Sequence, residues 1–360
     1  MLKKFVSCAL ICSLICLLFC SCSLKQGTQN GGQGAASNLQ KFNTSYIEYF
    51  DTVSIVVGYE ENQEAFDKTS KEIETLLSEY HQLYDIYKSY EGVNNICTIN
   101  KNAGKEPVKV DKRIIELLDY CFQMYELTNG KVNVAMGSVL SIWHNYRNVG
   151  INDPVNASVP PMSDLQSAAE HTDIHKIIID RDNSTVFLDD AQMKLDVGAV
   201  AKGYATEKIA QYLMDKGVNH YALNFGGNIR TIGNKGDGTD WSAAVTNPDK
   251  TSDMPYLMNV ALNGKVFVTS GSYERFYTVK GKDYHHIINP DTLMPENAFT
   301  SISIYADDSG LADVLSTATF NMTLEEGKAL IEGLDGVEAM WITSDYTIHY
   351  SSGFEKIIME

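Results

Sequence analysis

Cysteine is scarce over most of this chain of 360 residues. Five of its seven cysteines stand at or before Cys22, so only Cys97 and Cys121 belong to the long remainder. Two cysteines make no disulfide framework, and these two do not have the C-x-x-C spacing of a metal site. They could pair with each other if the fold brings them together, but we expect plain core or partly buried thiols.

The chain has few basic residues for a nucleic-acid-binding protein. The chain has 29 Lys and Arg against 46 Asp and Glu, which gives a formal net charge of −17. Nucleic-acid binding depends on a basic footprint, so the composition argues against a nucleic-acid partner. Internal repeats and a second linker are missing as well. We therefore predict one domain over residues 43–360.

The only long apolar run near the start covers residues 5–19, and it follows Lys3 and Lys4. This run is too short to span a bilayer comfortably as a permanent anchor. A positive start followed by a short apolar stretch is typical of a secretory signal peptide. We predict a signal peptide over residues 1–21, with an uncleaved signal anchor as the alternative.

The run ends in LLFCSC, in which Ser21 precedes Cys22. This pattern resembles the lipobox of a bacterial lipoprotein, which implies that cleavage exposes Cys22 and that Cys22 carries diacylglycerol. Phe19 and Cys20 depart from the usual lipobox residues, so lipidation of Cys20 is an alternative. A lipid at Cys22 would place the protein on the outer face of the bacterial cytoplasmic membrane.

The segment after the cysteine, residues 22–42, is polar and rich in glycine, and its middle has no large apolar side chain. Such a segment cannot bury enough surface to offset the entropy of ordering itself. A flexible coil of about 18 residues has an r.m.s. reach of roughly 20 to 25 Å. We predict a flexible tether that holds the domain close to the membrane surface.

Apolar periodicity predicts a mixture of strands and helices in the domain. Residues 53–59 alternate as in a half-buried strand, and apolar residues from Phe66 to Tyr87 recur at helical spacing, with no break until Gly92. Asp111 can cap a second helix, for which the dipeptide at residues 129–130 provides the stop.

Further along, short strands follow in close succession, and strict alternation with helices is absent. We predict an α+β fold rich in antiparallel strands rather than a doubly wound sheet. Strands are predicted at residues 176–180, 185–189, 193–196, 337–343 and 347–351, hairpin turns at 263–264 and 280–282, and helices at 201–216 and 311–321.

The stretch DVGAVAKGYATEK, residues 196–208, places two glycines and a lysine at the start of a predicted helix. It is not a Walker loop, because Lys202 precedes Gly203 and no Ser or Thr follows to hold magnesium. A helix N-terminus offers free N–H groups and a positive dipole end to an anion, and Lys202 would reinforce both. A plain turn between a strand and a helix is the alternative.

Other segments supply further groups for such a ligand. Gly226 and Gly227 follow a predicted strand, where the backbone can approach a ligand closely, and Gly271 repeats this arrangement. His285 and His286 stand at a strand end, and neighbouring strand residues face opposite ways. Only one of the two can therefore point into a given site.

An acid and a hydroxyl share one face of the helix predicted near the C-terminus. Asp313 and Thr317 lie four residues apart there. Together they could provide oxygen ligands for a hard cation, and Mg²⁺ takes only one or two carboxylates plus phosphate oxygens. A solvated helix face is the alternative.

In this order and spacing, the segments resemble the FAD:protein FMN transferases, or ApbE-type flavin transferases, many of which are bacterial lipoproteins. The resemblance runs from about residue 50 to 337. The segments that carry it are FDT at 50–52, Tyr90 before NNICTIN, LTNGKVNVAMGSVLSIW from Leu127, DVGAVAKGYATE, NFGGN, TSGSYERF, HHIINPDT and ADVLSTATF.

The resemblance implies an ApbE-like domain, related to the T-fold, that binds FAD in a cleft with its pyrophosphate on Mg²⁺. The metal ligands that it implies are Asp313, Thr317 and the backbone carbonyl of Ala199. The FAD contacts that it implies are Phe50, Tyr90, Lys131, Val132, Asn133, Asp196, Lys202 and Ile287.

The implied reaction moves the FMN half of FAD to a Thr hydroxyl of an exported acceptor protein with a D-x-x-T-like motif, and releases AMP. Mg²⁺ with its ligand Asp313, and Lys202, would supply the positioning and charge neutralisation that phosphoryl chemistry needs. His286 is the expected catalytic base, because an unperturbed His has a pKa near neutrality and the family has a His there. Contact with phosphate is its alternative role.

Four residues depart from the family pattern: Asn133, Glu207, Asn289 and Leu293. None of them is an implied metal ligand, so we expect altered turns and flavin contacts in an active enzyme. With water as acceptor, the same site would act as an FAD pyrophosphatase. A non-catalytic FAD-binding lipoprotein and an adhesin or solute-binding lipoprotein are the alternatives from other classes.

Overall fold

A computed structural model describes residues 38–359, which contain eight α-helices and fifteen strands. The helices are α1 (Gln63–Tyr84), α2 (Ile96–Lys101), α3 (Lys112–Leu127), α4 (Gly137–Asn152), α5 (Met162–Ala169), α6 (Ala201–Asp215), α7 (Ser309–Phe320) and α8 (Leu324–Glu332). The strands are β1 (Gln40–Tyr46), β2 (Ser54–Glu60), β3 (Val108–Lys109), β4 (Ile177–Asp180), β5 (Thr185–Leu188), β6 (Tyr221–Phe225), β7 (Asn228–Ile232), β8 (Trp241–Thr246), β9 (Tyr256–Leu262), β10 (Val266–Gly271), β11 (Phe276–Val279), β12 (Lys282–His285), β13 (Phe299–Ala306), β14 (Glu338–Thr343) and β15 (Ile348–Tyr350).

The largest sheet has eight strands in the order β1-β2-β6-β7-β10-β13-β14-β15. Every neighbouring pair in it is antiparallel. Three small sheets, β3-β5-β4, β8-β9 and β11-β12, are antiparallel as well. Helices and strands do not alternate strictly, so the predicted α+β class rich in antiparallel strands is confirmed.

The large sheet has a core on each face. Helix α1 packs on β2, α6 on β7, and α7 on β10 and β13. Successive residues of β2 point to opposite faces. Val56 therefore packs under the helices with Leu77, whereas Val57 packs on the other face with Trp241 and Phe354. The helical face is the one that positions the site described below, because α6 and α7 both carry site residues.

Several element ends follow from local sequence signals. Asp111 caps α3 by accepting a backbone N–H of the first turn. After α3, Asn129 and Gly130 have φ of 50° and 77°, which ends the helix as predicted. Lys280 and Gly281, with φ of 50° and 80°, form the predicted hairpin turn between β11 and β12.

The predicted continuation of the first helix to Gly92 is wrong, because α1 ends at Tyr84. The next residue, Asp85, is extended, and its Oδ1 accepts the N–H groups of Tyr87 and Lys88 at 2.7 and 3.0 Å. This local side-chain bonding competes with the helical pattern. Tyr87 is thereby removed from the helix.

The predicted strand at residues 193–196 is also wrong, because the segment forms only an isolated bridge, between Lys194 and Met136. The Asn100 side chain donates to the carbonyl of Leu195 at 2.9 Å and accepts its N–H at 2.7 Å. The N–H of Asp196 donates to the carbonyl of Val134 at 2.8 Å. These bonds satisfy the backbone in place of a neighbouring strand.

Asn263 and Gly264 do not form the predicted hairpin. Strand β9 before them pairs with β8, whereas β10 after them pairs with β7 and β13. The dipeptide therefore carries the chain from one sheet to another. Which strands pair here is decided by long-range contacts, which a two-residue turn pattern does not predict.

Strand β1 begins at Gln40, so residues 40–42, predicted as the end of the tether, are part of the fold. Phe42 pairs opposite Gly58 and stacks on Phe66 with ring centroids 5.6 Å apart, which partly buries its apolar ring. The predicted signal peptide, Cys22 and the tether up to residue 37 lie outside the described residues. Within residues 38–359, no helix is both long and apolar enough to cross a membrane.

Cys97 and Cys121 are free and buried, as expected of core thiols. Burial raises the pKa of the Cys121 thiol well above its ordinary value. A thiol held in the neutral form is a poor nucleophile and a poor metal ligand. We assign both cysteines a packing role.

Candidate active site

A cleft of about 430 Å³ opens where several loops meet the N-terminus of α6 and the middle of α7. The structure brings every predicted site residue of the described chain to this cleft except Tyr90. The predicted residues that line it are Phe50, Lys131, Val132, Asn133, Asp196, Ala199, Lys202, His286, Ile287, Asp313 and Thr317.

Asp313 on α7 is a buried acid, with 6% of its surface exposed. Its Oδ2 accepts the backbone N–H of Gly203 at 2.8 Å, and its Oδ1 lies 3.7 Å from Nζ of Lys202. Both partners belong to the first turn of α6. Asp313 thus joins the two helices and remains at the cleft surface.

Gly203 allows α6 and α7 to approach this closely. A Cβ atom at residue 203 would lie 2.4 Å from Cβ of Asp313 and 2.4 Å from the carbonyl oxygen of Ser309. Real Cβ atoms do not approach other heavy atoms that closely. The second glycine of the 196–208 stretch is therefore needed for the helix contact.

The bond between Gly203 and Asp313 also frees the carbonyl of Ala199. In a regular helix the N–H of residue 203 would donate to the carbonyl of residue 199. The N–H groups of Ala201 and Tyr204 do find backbone carbonyls, those of Val197 and Val200. Throughout residues 38–359, no backbone donor is bonded to the Ala199 carbonyl, which lies at the cleft.

These oxygens fit a hard cation. Thr317 lies one turn after Asp313 on α7 and lines the same cleft, so a carboxylate, a hydroxyl and a free carbonyl converge there. The described part of the chain has no group of three or more His, Cys, Asp or Glu side chains that could hold a metal. A cation here would therefore complete its coordination with oxygens of a ligand or water, as Mg²⁺ commonly does.

Lys202 places a positive charge beside these oxygens. Its Nζ donates to Oδ1 of Asn228 at 2.7 Å. Asn228 follows Gly226 and Gly227, which have φ of 59° and 91° and turn the chain from β6 into β7. The glycine pair singled out in the sequence therefore positions the residue that holds the lysine.

The FDT segment forms a strained loop at the cleft. Phe50 and Asp51 have φ of 53° and 52°, a conformation that bulky residues rarely adopt. The backbone N–H of Phe50 donates to Nδ1 of His81 at 3.2 Å, and the two rings meet edge to face. Strain of this kind persists only where the surroundings hold it, and it is concentrated at functional sites.

Tyr90 is behind this loop rather than at the cleft surface. Its hydroxyl donates to Oδ2 of Asp85 at 2.7 Å and lies 3.2 Å from Nε2 of His81. Because Nδ1 of His81 accepts from Phe50, its Nε2 carries the proton and donates to Tyr90. Burial, the first cause, lowers the pKa of His81 and favours this neutral form. Tyr90 therefore supports Phe50 through His81.

The segment after α3 lies across the cleft, and most of its polar groups have protein partners. Lys131 pairs with Asp291, and the N–H of Val132 donates to Oγ1 of Thr128 at 3.2 Å. Asn133 accepts the N–H of Ala135 and donates to a backbone carbonyl, each at 2.9 Å. The Asp to Asn departure at 133 thus gives this side chain a donor that an aspartate lacks.

Of the two adjacent histidines, only His286 lines the cleft. The buried His285 accepts the N–H of Ile287 at Nδ1 and bonds the carbonyl of Glu296 through Nε2. Nδ1 of His286 donates to the carbonyl of Arg275 at 3.2 Å, which leaves the lone pair on Nε2. The expectation that only one of the pair points into the site is confirmed.

The expectation of a near-neutral pKa for His286 is wrong. Burial, followed by the positive charges of Arg275 and other neighbours, lowers its pKa to about 3. His286 is therefore neutral over the whole physiological range. It can accept a proton at Nε2 only when a negative charge nearby offsets the positive charges of the neighbouring side chains.

The cleft residues to which no role was assigned from the sequence include Tyr87, His144, Arg147 and Arg275. The Tyr87 hydroxyl lies 2.9 Å from Nδ1 of His144, and Nε2 of His144 lies 3.9 Å from Oδ2 of Asp196. Arg275 stands within the SYERF segment, so its sequence signal was present. His144 and Arg147 belong to α4, which was not predicted.

The remaining departures from the family pattern, Glu207, Asn289 and Leu293, each have defined backbone or side-chain contacts. Leu293 stands where the family often has Gly, and its φ of 60° is the conformation that favours glycine. Asn289 accepts the N–H of Asp291 at 2.8 Å as an aspartate would. Glu207 forms a buried ion pair with Arg230, 2.9 Å between Oε2 and Nε, and accepts the N–H of Ser309 at 2.9 Å. It thereby holds the start of α7.

The cleft of this α+β fold contains an acid, a hydroxyl, a free carbonyl and a lysine. This set of groups is typical of a protein that binds a phosphorylated ligand together with a hard cation. The ApbE family model matches residues 50–341. The chain belongs to the ApbE family. This assignment agrees with the resemblance inferred from the sequence motifs.

Curated relatives carry the name FAD:protein FMN transferase. The one from Treponema pallidum (strain Nichols) is 34% identical over 272 residues, which cover 72% of this chain and 73% of the relative. The one from Klebsiella pneumoniae (strain 342) is 30% identical over 285 residues, covering 78% of this chain and 85% of the relative.

Solved structures show the same fold. The ApbE protein from Thermotoga maritima is similar over 89% of this chain and 100% of its own, with a TM-score of 0.77 and 25% identity. The flavin transferase ApbE from Vibrio cholerae is similar over 89% of this chain and 99% of its own, with a TM-score of 0.72 and 21% identity. The expected ApbE-like fold is thereby confirmed.

Proposed function

We propose that this protein is an FAD:protein FMN transferase that moves FMN from FAD to a Thr hydroxyl of an exported acceptor protein and releases AMP. The observation that carries the proposal is that Asp313, Thr317, the free Ala199 carbonyl and Lys202 line the same cleft as His286. Family membership and the names of the curated relatives support the reaction type.

Within this proposal, each group of cleft residues has one task. Asp313, Thr317 and the Ala199 carbonyl would hold Mg²⁺, which supplies charge neutralisation at the diphosphate when bound. Lys202 adds a second positive charge from the protein itself. Phe50, Val132 and Ile287 offer apolar contacts for the flat rings of FAD.

His286 acts on the acceptor. A bond forms between the acceptor oxygen and the phosphorus of the FMN half, and the bond from that phosphorus to the oxygen leaving with AMP breaks. The hydroxyl proton moves to Nε2 of His286, whose Nδ1 is already committed to the Arg275 carbonyl. Proton acceptance by a positioned side chain contributes typically 10²- to 10⁴-fold to such reactions.

The test is mass spectrometry of an acceptor domain incubated with FAD, Mg²⁺ and this protein. We expect a mass gain equal to FMN less one water on a domain with a D-x-x-T-like motif, and none on the same domain with that Thr changed to Val. Release of FMN and AMP without a mass gain would instead make the protein an FAD pyrophosphatase. Bound FAD with neither product would make it a carrier.

The low pKa of His286 predicts an acid-sensitive fold. The unfolded chain binds the proton of this residue near pH 6.5, whereas the folded protein binds it near pH 3, so stability falls as pH drops below 6.5. Between pH 7 and 5, His286 alone is expected to contribute a loss of about 2 kcal/mol at most. Denaturant unfolding of His286→Asn at both pH values should show a smaller loss than the parent, and the exposed His175→Asn serves as the control.

We also propose that the protein is a lipoprotein anchored through Cys22 at the outer face of the cytoplasmic membrane. Cys22→Ser is expected to abolish labelling by a radioactive fatty acid and to move the protein from the detergent phase to the aqueous phase. Cys20→Ser should leave both unchanged. If Cys20→Ser alone removes the label, the anchor is at Cys20.

A further inference from the structure

Two arginines of the cleft have no carboxylate partner. Arg147 and Arg275 both line it, and neither forms an ion pair within 4.0 Å in residues 38–359. The other arginines of this part of the chain, Arg113, Arg181 and Arg230, each form at least one ion pair. The unpaired guanidinium groups are therefore confined to the site.

Both arginines flank His286. The backbone carbonyl of Arg275 accepts the Nδ1 proton of His286 at 3.2 Å. Arg147 lies one turn after His144 on α4, and burial together with the charge of Arg275 lowers its pKa. The acids that act on Arg147 are Asp196 and Asp51, and Glu274 stands next to Arg275, yet none is within ion-pair distance.

The chemistry that would complete this arrangement is an anion with paired oxygens. Guanidinium groups bind carboxylates and phosphates through two parallel hydrogen bonds. The diphosphate of FAD already has the cation ligands Asp313, Thr317 and Ala199, and Lys202, for its charge. The proposed reaction brings the acceptor hydroxyl to His286, and the two arginines are then placed to bind an anion that arrives with the acceptor.

We propose that Arg147 and Arg275 form the binding site for an acidic side chain of the acceptor protein, close to the hydroxyl that receives FMN. This inference rests on the proposed transferase function. It also explains how the site discriminates against water. An acceptor carboxylate would offset the two positive charges beside His286 and let it take the hydroxyl proton, whereas water brings no such charge.

The test uses the full-length protein, FAD, Mg²⁺ and three synthetic peptides that have one Thr and differ only in whether Asp, Asn or Lys stands three residues before it. We expect transfer to the Asp peptide with a kcat/KM about 10- to 100-fold above that of the Asn peptide. Arg147→Gln and Arg275→Gln should remove this preference and leave the KM for FAD within about twofold. Arg181→Gln, a surface arginine paired with Asp119, should behave as the parent.

A charge reversal separates recognition from structural damage. Arg275 is exposed toward the cleft, so Arg275→Glu should fold and should prefer the Lys peptide to the Asp peptide. Equal use of the Asp and Asn peptides by the parent, or a large rise in the KM for FAD in both Gln variants, would overturn the inference. Splitting of FAD without transfer to any peptide would overturn the proposed function as well.

Discussion

Replacing Asp313 by asparagine is expected to lower Mg²⁺-dependent FMN transfer by about 100-fold or more, since even residues that only orient a metal ligand contribute 10- to 100-fold. The substitution removes the one carboxylate among the proposed cation ligands. It keeps an oxygen that can accept the N–H of Gly203, the bond that joins α7 to α6. The loss should therefore appear in the rate and in the Mg²⁺ concentration needed, with the fold retained.

Asp335→Asn is the matched control, because Asp335 is an exposed acid after α8 that does not line the cleft. Transfer rates should be measured over a range of Mg²⁺ concentrations, and the melting temperature of each variant should be measured alongside. Parental activity in Asp313→Asn would remove the cation site from the proposal. An inactive variant with a much lower melting temperature would call for Thr317→Val, which keeps the acid.

The residues proposed to hold a cation could be placed in one site from the sequence because their signals are local. Glycines near Lys202 indicate a close approach of the backbone at a helix start. The four-residue spacing of Asp313 and Thr317 indicates that both lie on one face of a helix. The structure has a helix at each of these positions. The resemblance implied the Ala199 carbonyl as a ligand, but the reason that this carbonyl is free became visible only with the fold. This carbonyl is free because the N–H of Gly203 bonds to Asp313, a residue 110 positions away on α7, and not to Ala199.

The positions of Tyr87 and Arg147 in the cleft could not be predicted from apolar periodicity. Helical spacing continues past Tyr84, but the Asp85 side chain ends the helix and brings Tyr87 to the cleft in place of Tyr90. Helix α4 begins at Gly137, and its N-cap residue, Met136, makes no side-chain cap hydrogen bond. Because a cap residue is the usual mark of a helix start, the helix and its Arg147 were missed.

The pKa of His286 shows a third limit of sequence reasoning. The residue type suggests titration near neutrality, but the shift arises from burial and from charges on other elements. Spacing does not reveal how deeply a side chain is buried, nor that Arg147 and Arg275 form no ion pair within residues 38–359. The chemistry of this half of the site therefore had to come from the three-dimensional arrangement.

Gly203→Ala should affect both the fold and the reaction. The added Cβ would meet Cβ of Asp313 and the carbonyl of Ser309 at 2.4 Å, and neither is the flexible end of a side chain. Helix α7 must move away from α6, at a cost of about 1–3 kcal/mol for overpacking, which outweighs the roughly 0.5–1 kcal/mol gained from the higher helix propensity of alanine. The movement also breaks the bond between Gly203 and Asp313.

The Gly203→Ala variant should therefore unfold at lower denaturant concentration and transfer FMN more slowly even where it is fully folded. Gly333→Ala at the end of α8 is the control, because its Cβ would meet nothing closer than 3.4 Å and its φ of −82° suits alanine. Raising Mg²⁺ should restore part of the lost activity, since the displaced acid still belongs to the cation site. A variant with parental stability and rate would mean that α6 and α7 are not in the close contact on which the freed Ala199 carbonyl depends.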